Sequence, residues 1–291
     1  MSLIGTLTSG VSALRTFSKG LEVIGNNIAN INTTGYKSSN ATFADSFSNT
    51  LRASAPSSGA TSSQSAIQVG TGVQLSSIQT NFNQGSLNST GNVTDLGISG
   101  QGFFIVKNAT SGMTYATRDG QFRPDDQGYL ITTGGLRLQG WNMTTGAVGD
   151  MQLGATPPMP ATAQLQSVSI DTAGNVIESY SDGTSATTHR VMLQQFSDTS
   201  ALMRDGQNLY VGLAAAGPIG GGILGNTPAG SNFPGTSGLG LIQSGTLESS
   251  NVDLTDQFSQ LITTQRSFQA GSRLITVSDS VLEDVVNLKR S

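Results

Sequence analysis

Apolar residues recur every seven positions at both ends of the chain: Leu7, Leu14, Leu21 and Ile28 near the start, and Leu254, Leu261, Phe268, Ile275 and Leu282 near the finish. Seven residues make almost two helical turns, so each series predicts a seam along one side of a helix. In the first segment Leu14, Phe17, Leu21, Ile24, Ile28 and Ile31 alternate steps of three and four. That is the a/d spacing of a coiled coil, although an amphipathic helix packed on its own core has it too. Polar residues fill the other faces. A seam of this kind needs a partner, so the two ends are expected to meet each other or the ends of other copies.

The first helix carries a weak spot at Gly25-Asn26-Asn27, since Gly and Asn are poor helix formers, and Thr33-Thr34-Gly35 supplies a stop with Gly as a C-terminal cap. Such a helix is marginal until packed, which predicts folding on assembly. The second helix has Ser250 or Asn251 as its expected cap. Asp253 and Asp256 lie near its positive end, with Lys289 and Arg290 near its negative end. Roughly 35 residues would give about 50 Å of helix.

Between the ends the period changes from helical to strand-like. Ser46 to Ala66 is small and polar, broken by Pro56 and Gly59, and reads as a flexible or extended linker. Short runs punctuated by glycine follow: Gly102-Phe103-Phe104-Ile105-Val106 as a buried strand, then Tyr115 to Gln121, Tyr129-Leu130-Ile131, Val168 to Ile177, Val191 to Phe196 and Leu209 to Val211. Tight turns join them without intervening helices, so the middle is expected to be mainly antiparallel β. The fold class expected is α+β. Residues 1–35 and 250–291 form a helical domain, 36–75 an extended stretch, and 76–249 a β-rich body with a short insertion near 142–166 and a Gly/Pro-rich loop at 212–240.

Composition removes several kinds of function. With 291 residues the chain can build real cores. Only 11% of residues are charged, 14 Lys+Arg against 18 Asp+Glu, so no basic face exists to neutralise nucleic-acid phosphates. The absence of cysteine excludes disulfides, thiolate metal sites and Cys nucleophiles. No apolar stretch is long enough to span a bilayer, and Met1 to Thr8 lacks the basic and apolar regions of a cleavable signal peptide.

Candidate chemistry fails where it is sought. The sole histidine, His189, has no nucleophile motif or metal-ligand spacing beside it, and is expected at the surface or a strand edge. Gly97-Ile98-Ser99-Gly100-Gln101 lacks the second glycine of a nucleophile elbow. Gly220 to Gly225 matches a phosphate-loop spelling, but Asn226-Thr227-Pro228 prevents the helix that would receive the phosphate. Asp119, Asp125, Asp126 and Asp171 fall in turns, where Asp bonds locally; a carboxylate pair for glycoside hydrolysis is a remote reading. No catalytic residue, cofactor or metal is expected.

The stretch Val23-Ile24-Gly25-Asn26-Asn27-Ile28-Ala29-Asn30-Ile31-Asn32-Thr33-Thr34-Gly35-Tyr36-Lys37, then Phe43-Ala44-Asp45, resembles the N-terminal signature of bacterial flagellar rod and hook proteins. Leu247-Glu248-Ser249-Ser250-Asn251-Val252-Asp253-Leu254, with Thr264-Gln265-Arg266-Ser267-Phe268-Gln269-Ala270, is similar to the C-terminal one. Gln68 to Val73, Gly100 to Phe104 and Thr117-Arg118-Asp119-Gly120-Gln121-Phe122 match in order between them. Within that family Leu138-Gln139-Gly140-Trp141-Asn142 and Val286-Asn287-Leu288-Lys289-Arg290 look most like a hook subunit. The gap from Trp141 to Val168 is too short for the large outer domain many hook subunits insert there, and the Ser46–Ala66 stretch resembles the extra stretch of a distal-rod subunit. The hook is the preferred reading and the rod its alternative.

The resemblance implies a helical homopolymer in the flagellum, exported without a cleavable signal peptide. Its terminal helices would form an inner coiled-coil layer lining a channel, with the β body outside. Its partners would be further copies of itself and the rod, hook-cap and hook–filament junction proteins, with neither nucleic acid nor membrane insertion. The seam residues Leu7, Leu14, Phe17, Leu21, Ile24, Ile28, Leu254, Leu261, Phe268, Ile275 and Leu282 would carry assembly. Asn26, Asn27, Asn30, Gly35, Asn251, Asp253, Gln265 and Arg266 would be family signature positions. The reading from a different class is an extracellular β-rich polysaccharide-binding protein or hydrolase on a trimerising helical stalk.

Overall fold

The computed structural model describes residues 3–54, 56, 63–154, 164–220, 222–223 and 232–288. Two helices, α1 (Leu3–Ala29) and α2 (Leu254–Leu288), bracket a chain of short strands. The chain divides into two compact units, one of residues 1–29, 39–81 and 252–291, the other of residues 30–38 and 82–251. Among the described residues no helix is long and apolar enough to cross a membrane.

In the first unit α1 and α2 lie antiparallel. Thr6 hydrogen-bonds Ser278 at 3.3 Å, and Asn27 donates to Gln257 at 2.9 Å. Between those ends Gly10 lies against Ile275, Leu14 against Gly271 and Gly20 against Thr264. The register therefore stays constant along the pair. A hairpin of Ser39–Asp45 and Val73–Thr80 packs on α1, where Thr16 donates to the Val73 carbonyl and Phe17 meets Phe43 edge to face. The 36–75 stretch expected as a linker thus carries strands. Ser48–Arg52 also pairs with Ile67–Gly70, while residues 55 and 57–62 of the Ser46–Ala66 stretch lie outside the described residues.

The second unit is built on a thirteen-stranded sheet whose strand pairs are all antiparallel. Its central strand, Phe103–Lys107, is buried on both faces. Phe104 and Val106 join a core with Leu96, Phe122, Leu138 and Ile242, and Phe103 and Ile105 join another with Met192, Phe196 and Tyr210. The strand period of two sends successive side chains to opposite faces, which is why this run is continuously apolar rather than alternating. Strands Leu96–Ser99 with Leu241–Ser244, and Leu87–Ser89 with Thr246–Glu248, bring the two ends of the body's chain together.

Part of the 212–240 loop is structured. Leu213, Ala216 and Leu239 are buried, and Pro218–Ile219 pairs with Leu193–Phe196. Of the phosphate-loop spelling, Gly221, Leu224 and Gly225 lie outside the described residues, as do residues 155–163 of the 142–166 insertion.

His189 corrects the surface expectation. It sits at 2% exposure on an interior strand, Ser185–Val191, paired on both sides, and contacts the Asn142 amide at 3.3 Å. Burial holds its pKa below 6.5, with the nearby Glu178 carboxylate opposing that shift. The turn reading describes the bonding of Asp125 and Asp171. Asp125 accepts from the backbone of Gln127 and Tyr129, and Asp171 from Ala173, each through a side-chain oxygen.

Candidate assembly interface

The side of α2 facing α1 is set by its heptad. Gln257, Leu261, Thr264, Phe268, Gly271, Ile275, Ser278 and Leu282 alternate steps of four and three, and each is buried or half-buried on a helix that is otherwise exposed apart from Ser267. Leu261, Phe268, Ile275 and Leu282 therefore share one seam. Leu254, at the first position of the helix, is 39% exposed and lies outside it. The interleaved positions hold Gln257, Thr264, Gly271 and Ser278, a small and polar set that a search for leucine-like residues passes over. The same seven-residue step connects them.

On α1 the fully buried positions are Gly10, Thr16, Gly20, Ile24 and Asn27, while Leu7, Leu14, Phe17, Leu21 and Ile28 are half-buried. Small residues dominate because the backbones approach closely. A Cβ on Gly10 would stand 3.0 Å from Ile275 Cγ1, and one on Gly20 3.0 Å from the Phe43 ring. At Gly271 a Cβ would meet Leu14 at 3.4 Å, ordinary contact. Helix α1 runs unbroken through Gly25-Asn26-Asn27.

Asn27 shows why a poor helix former belongs there. Its amide donates 2.7 Å to the Ser39 carbonyl and 2.9 Å to Gln257 Oε1, and its oxygen accepts from the Ser39 backbone at 2.9 Å. One side chain thus ties helix, hairpin and opposite helix together. Asn26 is exposed at the neighbouring position. The cap of α2 is Asp253, not Ser250 or Asn251: its carboxylate accepts from the Thr255 backbone at 2.8 Å, and its carbonyl from Gln257. Lys289 and Arg290 lie outside the described residues.

The other side of α2 is open. Phe258, Ile262 and Val277 are 49–61% exposed on the side turned from α1. Gln265 and Arg266 are exposed as well, and Arg266, Ala270, Arg273, Leu274 and Val277 lie side by side along this open surface. A helix apolar on two sides, with one side covered by its own chain, presents surface that a lone subunit does not bury.

The body holds a second constellation, which the sequence reading missed. Lys37, Arg118 and Glu248 are buried together: Lys37 Nζ donates 2.7 Å to Glu248 Oε1, and Arg118 reaches Oε2 at 3.3 Å. Gly85 N–H adds a bond of 2.8 Å to the carboxylate, Lys37 also donates to the Asn83 carbonyl, and Arg118 to that of Gly100. Burial pushes the Lys37 pKa down, with Glu248 opposing and Arg118 reinforcing that shift; burial lowers Arg118 too.

Signature residues surround this cluster. Gly35 has φ +66°, and its N–H donates 2.7 Å to the Glu248 carbonyl; a Cβ there would stand 2.7 Å from the Asp119 nitrogen. It lies beyond Ala29, where α1 ends, so it docks a turn rather than capping the helix. Asn30 accepts from Thr33 through its carbonyl and side-chain oxygen. Asn251 accepts 2.7 Å from the Ser38 nitrogen and donates 2.9 Å to the Asn83 carbonyl. These contacts join the two chain segments that lead into the helices. A sequence signal was present: in a chain this poor in charge, Lys37, Arg118 and Glu248 each fall inside a separate recognisable motif.

Among the described residues no group of three His, Asp or Glu side chains could hold a metal ion.

Comparisons with known proteins agree in kind along the whole chain. Residues 7–37 match the profile "Flagella basal body rod protein", 97–178 "Flagellar hook protein FlgE/F/G D1 domain", and 243–288 "Flagellar basal body rod FlgEFG protein C-terminal". The flagellar basal-body rod protein FlgG of Bacillus subtilis is 34% identical over 99% of this chain and 100% of its own length. FlgG of Borreliella burgdorferi is 31% identical over 100% and 99%. The flagellar hook protein FlgE of Helicobacter mustelae is 44% identical over 48% of this chain, which covers 31% of that protein. The chain belongs to the flagellar rod and hook family of structural proteins.

Proposed function

We propose that this chain is a subunit of the flagellar hook, polymerising through its terminal helices into a tube that links rod to filament and transmits torque. The observation that carries the polymer is the two-sided α2, one apolar face covered by α1 and another left exposed. A copy that covers this face with a different part of its own surface leaves its own α2 face open. Such a heterologous contact propagates into a helical array rather than closing. In that array the helix pairs form a coiled-coil inner layer. Its partners are further copies and the rod, hook-cap and hook–filament junction proteins, reached by export without a cleaved signal peptide.

The hook position is supported by the higher identity to hook proteins, 44% and, for Helicobacter pylori, 42%, over about half the chain. The distal rod is the second reading, favoured by end-to-end similarity to FlgG proteins at matching length. Electron microscopy of the assembled tube separates them: a hook supercoils and bends, a rod is straight and stiff.

Replacing Leu261 and Phe268 by Asp tests the polymer itself. The β body is expected to stay folded while tubes disappear, because two charges would enter the α1–α2 seam. Tubes of normal length from that variant would refute the role given to the seam. Discrete trimers from the parent chain would favour a stalked extracellular protein instead.

A further inference from the structure

A pocket of about 300 Å³ lies in the body, where Thr33-Thr34, the Thr132–Gly134 turn and the Gln207–Asn208 loop surround Asp119. All of its lining residues belong to the second unit. Its walls carry one carboxylate and, among the described residues, no Lys, Arg or His; half-buried Leu209 is the apolar part. Asp119 Oδ1 accepts from the Thr34 hydroxyl at 3.1 Å and from the Gln121 N–H at 3.2 Å. The Asn208 amide donates 2.6 Å to the Thr34 carbonyl, and Thr132 Oγ1 accepts from the Leu136 N–H at 3.2 Å. Among the described residues, Asp119 Oδ2, Asn208 Oδ1, the Gln207 amide and the Thr133 hydroxyl bond no protein group, and the Thr132 hydroxyl proton has no acceptor. Burial pushes the Asp119 pKa up, against the bonds from Gln121 and Thr34, so a further donor to this carboxylate would be favourable.

The loop beside the pocket is strained. Gly206 pairs with Leu209 across a two-residue turn, and Gln207 and Asn208 both have left-handed backbones, at φ +49° and +57°. Asn and Gly suit such a turn; Gln does not. A Cβ on Gly134 would stand 2.6 Å from Gln207 Oε1, so the bare backbone at 134 leaves room for the amide. A strained, unpaired Gln where Gly would fit better points to side-chain chemistry that is used.

We propose that this pocket binds one neutral sugar ring. Its unpaired groups include acceptors, Asp119 Oδ2 and Asn208 Oδ1, and donors, the Thr132 hydroxyl and Gln207 Nε2. A sugar hydroxyl both donates and accepts, so neighbouring hydroxyls satisfy the two kinds together. A bare cation would leave the donors unmet, an anion would face Asp119, and an apolar ligand would strand every polar group. Leu209 is left for the C–H surface of the ring. A single carboxylate binds; it is not the pair that glycoside cleavage uses.

Sugar binding by the body goes beyond the assembly reading and does not depend on whether the tube is hook or rod. Saturation-transfer NMR on the full chain reads it, with glucose, mannose, galactose and methylammonium as separate probes. At least one of the three sugars is expected to bind with a Kd on the order of 1 mM, since the ring makes only a handful of contacts. Asp119→Asn keeps an acceptor for Thr34 and Gln121 but turns Oδ2 into a donor, and should weaken binding about tenfold or more. Gln207→Gly should weaken it similarly while leaving the melting temperature no lower, because Gly relieves the left-handed turn. Its lost binding could not then come from unfolding. Gly134→Ala, which crowds the Gln207 amide, should weaken binding too. The proposal is overturned if none of the sugars binds, or if Gln207→Gly and Asp119→Asn both bind like the parent. A response to methylammonium alone would make the pocket a cation site and overturn it as well.

Discussion

At the scale of single residues, the body depends on a carboxylate between two cations. Glu248 is the counter-charge of both Lys37 and Arg118 in a place closed to water. Glu248→Gln keeps the shape but leaves both cations uncompensated, at an expected cost of about 3–5 kcal/mol in urea unfolding of the body. Adding Lys37→Met should recover part of that loss, because one unpaired charge is removed. No loss in the single variant would show that the cluster is solvated in a way its burial does not suggest. His189 gives a pH signature. Its pKa lies below 6.5 because burial disfavours the imidazolium. The stability it contributes is therefore present above pH 6.5 and is lost as the pH falls through the lowered pKa. The melting temperature should decline as the pH falls below 6.5, before the carboxylates titrate, and His189→Gln should flatten that decline.

At the scale of elements, the helix pair is held by close approach as much as by leucine. Gly10→Leu should push Ile275 away and impair polymerisation, whereas Gly271→Ala should be tolerated and could gain up to about 1 kcal/mol in helix propensity. Circular dichroism and sedimentation of the two variants compare them directly; equal behaviour would mean the helices do not pack in this register. The same pair shows what a sequence reveals. Leu261, Phe268, Ile275 and Leu282 were legible because large apolar residues at a sustained seven-residue step mark one side of a helix. Gly20, Thr16 and Asn27 were not, since Gly and Asn read locally as helix breakers and only the partner helix and hairpin turn them into contacts. Asp253 rather than Ser250 became the cap because Ser250 and Asn251 belong to the chain segment docked on the body. The β body was legible as a class from its turns, yet strand order and the inward placement of His189 arise from pairings between distant segments, which no local pattern encodes.

At the scale of the whole molecule, the contrast between a well-filled β body and a helix with an uncovered apolar face is the central physical fact. The body buries Lys37, Arg118, Glu248 and its single histidine; α2 exposes valines and phenylalanine to water. A subunit of that kind leaves apolar surface uncovered when alone, and the proposed polymer would cover it. The most direct measurement is electron cryomicroscopy of polymer grown from the purified chain. The account expects open-ended tubes in which the α1–α2 pairs form the inner layer and the outward face of each α2 is covered by a neighbouring copy. Discrete closed oligomers, or tubes in which that face remains exposed to solvent, would contradict it.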